Sequence, residues 1–104
     1  MAQNRVMDKS YVIETLRYHQ PELKAAGIVH LRVFGSVARG NATPQSDIDL
    51  IADFDMAKRY TLLTMSRLEN RLTDILGAKV DLSPSDSLKE TVRREAMREA
   101  VLAF

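Results

Sequence analysis

The chain has 104 residues, 45% hydrophobic and 28% charged, which suits one globular domain around a single core. Its 15 Lys and Arg against 14 Asp and Glu leave a formal net charge of +1, so the basic footprint of a general nucleic-acid binder is missing and direct nucleic-acid binding is not expected. With no cysteine and only two histidines, His19 and His30, thiolate chemistry, disulfides and a histidine-rich zinc site are excluded. No apolar run approaches the roughly 18–20 residues of a membrane span, and Met1–Ser10 does not read as a signal peptide, so a cytoplasmic protein without membrane contact is expected.

Taken in chain order, Ser10 to Ala26 carries Val12, Ile13, Leu16 and Leu23 at near-helical spacing. Pro21 interrupts that helix or starts a second short turn, and Gly27 is a C-terminal stop. Ile28–Phe34 reads as a strand with Val29, Leu31 and Val33 on one face. Gly35–Ser46 is a loop with room for one helical turn, and Asp47–Asp53 is a second strand. A long helix is expected from about Ala57 to Leu76, with Leu62, Met65, Leu68, Leu72, Ile75 and Leu76 on one side and Gly77 at its end. Ala78–Leu82 is a short third strand, and Ser83–Ser87 is a turn in which Asp86 is placed to cap a final helix running to the C-terminus. The mixed charges of Lys89–Glu99 fit a solvated helix face with pairs at helical spacing. The order predicts an α/β (α+β) fold, a small mixed β-sheet flanked by helices over residues 1–104, with the long helix as a parallel crossover.

Chemistry concentrates in three places. In Gly35-Ser36-Val37-Ala38-Arg39-Gly40, directly after the first strand, Gly35 admits close backbone approach. If Ser36 opens a helical turn, its hydroxyl and the following amides offer donors to a phosphate; a plain turn would carry the same residues. Next, in Ser46-Asp47-Ile48-Asp49-Leu50, strand alternation sets Asp47 and Asp49 side by side on one face. Paired carboxylates repel unless a hard divalent cation such as Mg²⁺ lies between them; alone, they are equally two solvated acids at a strand end. Third, Asp81 is a lone acid in an apolar strand, 32 residues after Asp49. It completes a three-carboxylate cluster if its strand lies beside the second, and otherwise sits at a frayed edge or pairs with Arg39 or Arg32. Arg39 either touches a phosphate or braces the loop against Asp53 or Asp55. Asp53 and Asp55 read as solvated turn acids, Asp55 with a capping role for the next helix, and both histidines read as structural.

The combination of Gly-Ser, ten intervening residues, Asp-x-Asp, a helix and an acid-bearing strand resembles the nucleotidyltransferase superfamily that includes DNA polymerase β. The segment FGSVARGNATPQSDIDLIADF looks most like its minimal nucleotidyltransferase branch. The resemblance implies a polymerase β palm-like fold and a triphosphate held at Gly35 and Ser36, with Arg39 and Ser46 in the same nucleotide-binding set. It implies two Mg²⁺ ions on Asp47 and Asp49, and Asp81 as the third catalytic carboxylate. Minimal members often act as antitoxins paired with a HEPN-type RNase toxin, moving AMP from ATP to a toxin tyrosine. The expected function is therefore Mg-dependent AMP transfer to such a partner. The alternatives are transfer to a small-molecule alcohol, completed by a partner subunit, and a non-catalytic antitoxin or nucleotide-binding module acting by contact. A homo- or hetero-oligomer is compatible with each, since so short a chain leaves little room for a separate acceptor-binding lobe.

Overall fold

A computed structural model describes residues 8–43, 45–57 and 61–104. Most of the Met1–Ser10 segment, Pro44 within the loop and residues 58–60 of the expected long helix therefore lie outside the described residues, while Ala57, its expected first residue, lies in a turn. Asp8 caps the first helix, α1 (Lys9–Tyr18), by accepting the Ser10 N–H at 2.9 Å. The chain breaks at His19 and restarts as α2 (Gln20–Ala25) with Pro21 in its first turn, where a missing N–H costs nothing. Val12, Leu16 and Leu23 are buried.

Strand β1 (Ile28–Phe34) runs antiparallel to β2 (Ile48–Phe54). A bulge between Ile28 and His30 shifts the register, so Val29 turns outward and is 40% exposed while Ile28, Leu31 and Val33 are buried. That corrects the expected face, because a bulge resets the two-residue alternation. A five-residue helix, α3 (Gly35–Arg39), follows β1 directly. Helix α4 (Leu62–Leu76) crosses over to β3 (Val80–Pro84), which pairs parallel to β2 as the sequence predicts. Thr61 caps α4 by accepting the Thr64 N–H at 3.2 Å. Leu68, Leu72 and Leu76 are buried and Met65 and Ile75 pack beside them, but Leu62 is 90% exposed because the core stripe starts one turn later. The outer edge of β3 is closed by α4 itself: Val80 N–H donates to Thr73 Oγ1 at 3.3 Å and Leu82 N–H to Glu69 Oε2 at 3.0 Å.

Beyond β3 the chain makes a 3₁₀ turn (Ser85–Ser87) and a charged helix, α5 (Glu90–Glu99). The N-cap of α5 is Lys89, without a side-chain cap, rather than Asp86. Asp55 likewise does not cap α4; it accepts the Ala57 N–H at 2.9 Å in a local turn. The expected solvated pairs are present on α5, Arg94–Glu90 at 3.3 Å and Arg98–Glu95 at 3.7 Å. The helix does not run to the C-terminus. Ala100 turns extended and Val101–Leu102 forms β4, antiparallel to β1, so the sheet order is β3-β2-β1-β4. Two residues are too few for a periodic signal. The tail is held by long-range bonds instead: Ala103 N–H to Leu31 O at 2.8 Å and Arg17 Nε–H to Ala103 O at 2.6 Å.

Asp53 is not a solvated turn acid. It accepts from Arg32 Nη1 at 2.9 Å across β1–β2 and from the buried Ser85 hydroxyl at 2.5 Å. Burial works against its charge, but Arg32 and Ser85 outweigh that and hold the carboxyl below the usual range. Both histidines are structural: His19 faces Glu22 at 3.5 Å and His30 Nδ1 lies 3.3 Å from Phe104 O.

Two outcomes follow in thermal and chemical denaturation. Leu72→Ala costs about 2–5 kcal/mol and lowers Tm by at least about 8 °C, whereas Leu62→Ala stays within about 0.5 kcal/mol; equal losses would place Leu62 in the core. Asp53→Asn costs about 1–2 kcal/mol at neutral pH. A carboxyl held low stabilises the fold above its ordinary range and loses that contribution as the pH falls through its lowered value, so the gap between variant and wild type closes as the pH is taken below the ordinary carboxylate range.

Candidate active site

Strand β1 ends at Phe34, which pairs with Asp49 across the antiparallel ladder. Asp49 pairs in turn with Asp81 across the parallel ladder. Register partners on neighbouring strands share a face about 4.8 Å apart, so the end of β1, Asp49 and Asp81 lie in one row across three strands. Ile48, Leu50 and Ala52 face the opposite way and are buried. Asp47 stands just before β2 and is exposed, as is Asp81, while Asp49 is half-buried. The sequence thus locates the acids correctly. Asp81 is exposed on an edge strand, as one alternative had it, but the ion pair with Arg39 or Arg32 does not form, because those arginines pair with Glu99 and Asp53.

Gly35 joins this row to α3. Its φ is +73°, and a Cβ built there would fall inside the Asp49 carboxylate. The absence of a side chain therefore lets the acid lie against the backbone where strand becomes helix. Phe34 at the N-cap has no side chain able to accept from the first amides, and no side-chain cap bond forms. Ser36 sits half-buried in that first turn, its carbonyl accepting the Asn41 N–H at 3.0 Å. The amides and hydroxyl at this junction form the donor set that an anionic group requires.

The electrostatics are those of an unneutralised acid group. Burial, then the charges of Asp81 and Asp47, raise the Asp49 carboxyl above its ordinary value, against a smaller opposing pull from Arg39. Among the described residues, no group of three or more His, Cys, Asp or Glu side chains is placed to hold a metal ion. Asp49 and Asp81 share a face, and the three carboxylates do not converge on one point.

The two remaining candidates have local partners. Arg39 does not brace Asp53 or Asp55; from the last turn of α3 its Nη1 donates to Glu99 of α5 at 2.8 Å. Ser46 closes the turn ahead of Asp47, accepting the Thr43 N–H at 3.0 Å and donating its own N–H to Thr43 O at 2.9 Å. Among the described residues its hydrogen bonds go to Thr43, and none goes to Gly35 or Asp49. The sequence reading missed Glu99, which lies 60 residues from Arg39 with no shared pattern to connect them.

An uncapped helix start and a face of acids one residue apart suit a reaction at a phosphorus atom whose charge must be both held and neutralised. This is the architecture of nucleotidyl transfer. Residues 14–103 match the nucleotidyltransferase domain family, and the chain belongs to that family of enzymes. It is 38% identical over 87 residues to the protein adenylyltransferase MntA of Thermococcus cleftensis, covering 83% of this chain and 86% of that protein. It is also similar to a solved structure provisionally described as a minimal nucleotidyltransferase, with a TM-score of 0.69 and 39% identity over 86% of this chain and 93% of the other. A chain in the structure of a tri-AMPylated Shewanella oneidensis HEPN toxin in complex with MNT antitoxin shares the fold, at a TM-score of 0.59 and 19% identity over 92% of this chain and 68% of that one.

Gly35 and Gly40 both have left-handed backbones, but a Cβ at Gly40 would meet nothing within 4 Å. Gly40→Ala therefore costs only backbone strain, about 1 kcal/mol. Gly35→Ala costs more, displaces the Asp49 carboxylate and abolishes nucleotidyl transfer. Melting curves and turnover of the two variants check this; equal loss of stability and activity in both would show that the approach to Asp49 is not the constraint.

Proposed function

We propose that the chain transfers AMP from ATP to a tyrosine hydroxyl of a partner HEPN-type RNase toxin, and so acts as its antitoxin. The observation that carries this reading is the row formed by Gly35, Asp49 and Asp81, which puts phosphate-binding donors and two carboxylates on one sheet face. The similarity to a protein adenylyltransferase supports a protein acceptor.

In this reading the α3 amides and the Ser36 hydroxyl hold the triphosphate, and Arg39 adds positive charge from the same helix. Asp47, Asp49 and Asp81 would hold two Mg²⁺ ions. The donor chemistry fits, since hard oxygens suit that ion and a divalent cation relieves the repulsion that raises the Asp49 carboxyl; as they stand the three carboxylates do not converge, so binding would draw them together. Bound Mg²⁺ would supply charge neutralisation for the triphosphate and acidify the acceptor hydroxyl. The hydroxyl oxygen attacks the α-phosphorus in line, its proton passes to Asp81, and pyrophosphate leaves. The Ser46–Thr43 turn holds Asp47 at the entrance to β2. Positioning and charge stabilisation provide most of the rate.

The test incubates the purified chain with [α-³²P]ATP, Mg²⁺ and its cognate HEPN toxin. Label on a toxin tyrosine is expected, falling by at least about 100-fold in the Asp47→Ala/Asp49→Ala double variant with its circular dichroism unchanged. A toxin that binds tightly and stays unlabelled would replace this reading with neutralisation by contact. Label appearing only on added small-molecule alcohols would replace the acceptor.

A further inference from the structure

Beside the acids, a cleft of about 420 Å³ opens between α3 and α5, within the roughly 300–1,000 Å³ range of small-ligand sites. Gly35 is part of its wall, and Gly35 also abuts Asp49. An occupant of the cleft is therefore next to the α3 amides and the acids, with one residue's backbone between them.

The lining combines apolar and polar side chains. Phe34, Val92 and Ala96 form the apolar wall. Val92 is 51% exposed on a helix that is otherwise mostly charged, and it does not belong to the core. Thr91, Glu95 and Glu99 provide polar atoms. Both acids already have cationic partners, Glu99 with Arg39 at 2.8 Å and Glu95 with Arg98 at 3.7 Å, so the cleft does not present bare negative charge to a nucleotide. A second groove beside α4, bordered by Leu62, Met65 and Leu82, is larger at about 620 Å³ but touches none of the site residues.

We infer that the α3–α5 cleft is the nucleoside subsite, seating the base against Phe34 and Val92 and the ribose at the rim formed by Thr91 and Glu95. An aromatic ring beside aliphatic side chains is what a base face packs on, and carboxylate and hydroxyl oxygens accept from ribose hydroxyls and an exocyclic amine. The inference rests on the nucleotidyltransferase reading of the Gly35–Asp49 row.

The experiment titrates ATP and, separately, inorganic tripolyphosphate in Mg²⁺ buffer into wild type and Val92→Trp by calorimetry. Val92 is half-exposed, so the larger side chain fills the cleft rather than the core, and a melting curve verifies the fold. ATP affinity is expected to fall by at least about tenfold in the variant while tripolyphosphate affinity is unchanged. Unchanged ATP affinity, or an equal fall for both ligands, overturns the subsite. Failure of wild type to bind either ligand overturns the phosphate site beneath it. Independently of any variant, photolabelling of wild type with 8-azido-ATP is expected to modify α5; label confined to other elements overturns the assignment.

Discussion

The carboxylate of Asp49 occupies the space that a side chain on residue 35 would need. Antiparallel pairing of Phe34 with Asp49 brings the acid to the end of β1, and only a residue without a Cβ leaves room there for its side chain. The same glycine, at φ +73°, turns the chain from extended strand into helix without a linker. The first amides of α3 therefore start beside the acid. Uncapped helix amides and a half-buried carboxylate are thus held side by side through a single steric constraint.

Two acids on β2 show how differently the fold treats charge. Asp53 and Asp49 are four residues apart and both half-buried. Asp53 receives a guanidinium and a hydroxyl, and its carboxyl is held low. Asp49 faces burial and two further carboxylates, and is pushed up. The first arrangement binds β1, β2 and the 3₁₀ turn together. The second leaves repulsion in place, which stabilises nothing by itself and suits a site whose charge is balanced by what it binds.

The last 20 residues frame that site. After β3 the chain returns through α5 to the far edge of the sheet and adds β4 beside β1. Helix α5 reaches α3 through Arg39 and Glu99, and its Ala96 is buried. The cleft beside Gly35 exists because of this return. In a family whose chemistry depends on positioning, a helix spanning from the sheet edge to the turn at Gly35 gives the domain a wall that it would otherwise lack.

Much of this was legible in the residues. Gly35 and Ser36 after an apolar strand, the two-residue period of Asp47 and Asp49, the spaced leucines of α4 and the stop at Gly77 are local features. Backbone sterics and periodicity act within a few residues, so sequence alone determined these elements and the identity of the acids. It did not determine their neighbours. Whether Asp81 stood beside Asp49 rested on strand register, and the partners of Asp53 and Arg39 lie 21 to 60 residues away. Val29 turned outward because one bulge reset the alternation, and the two-residue β4 carried too little pattern to read. Pairing and packing between distant segments leave no period in the chain, so these contacts, and the face that Asp49 and Asp81 share, were decided only when the sheet closed.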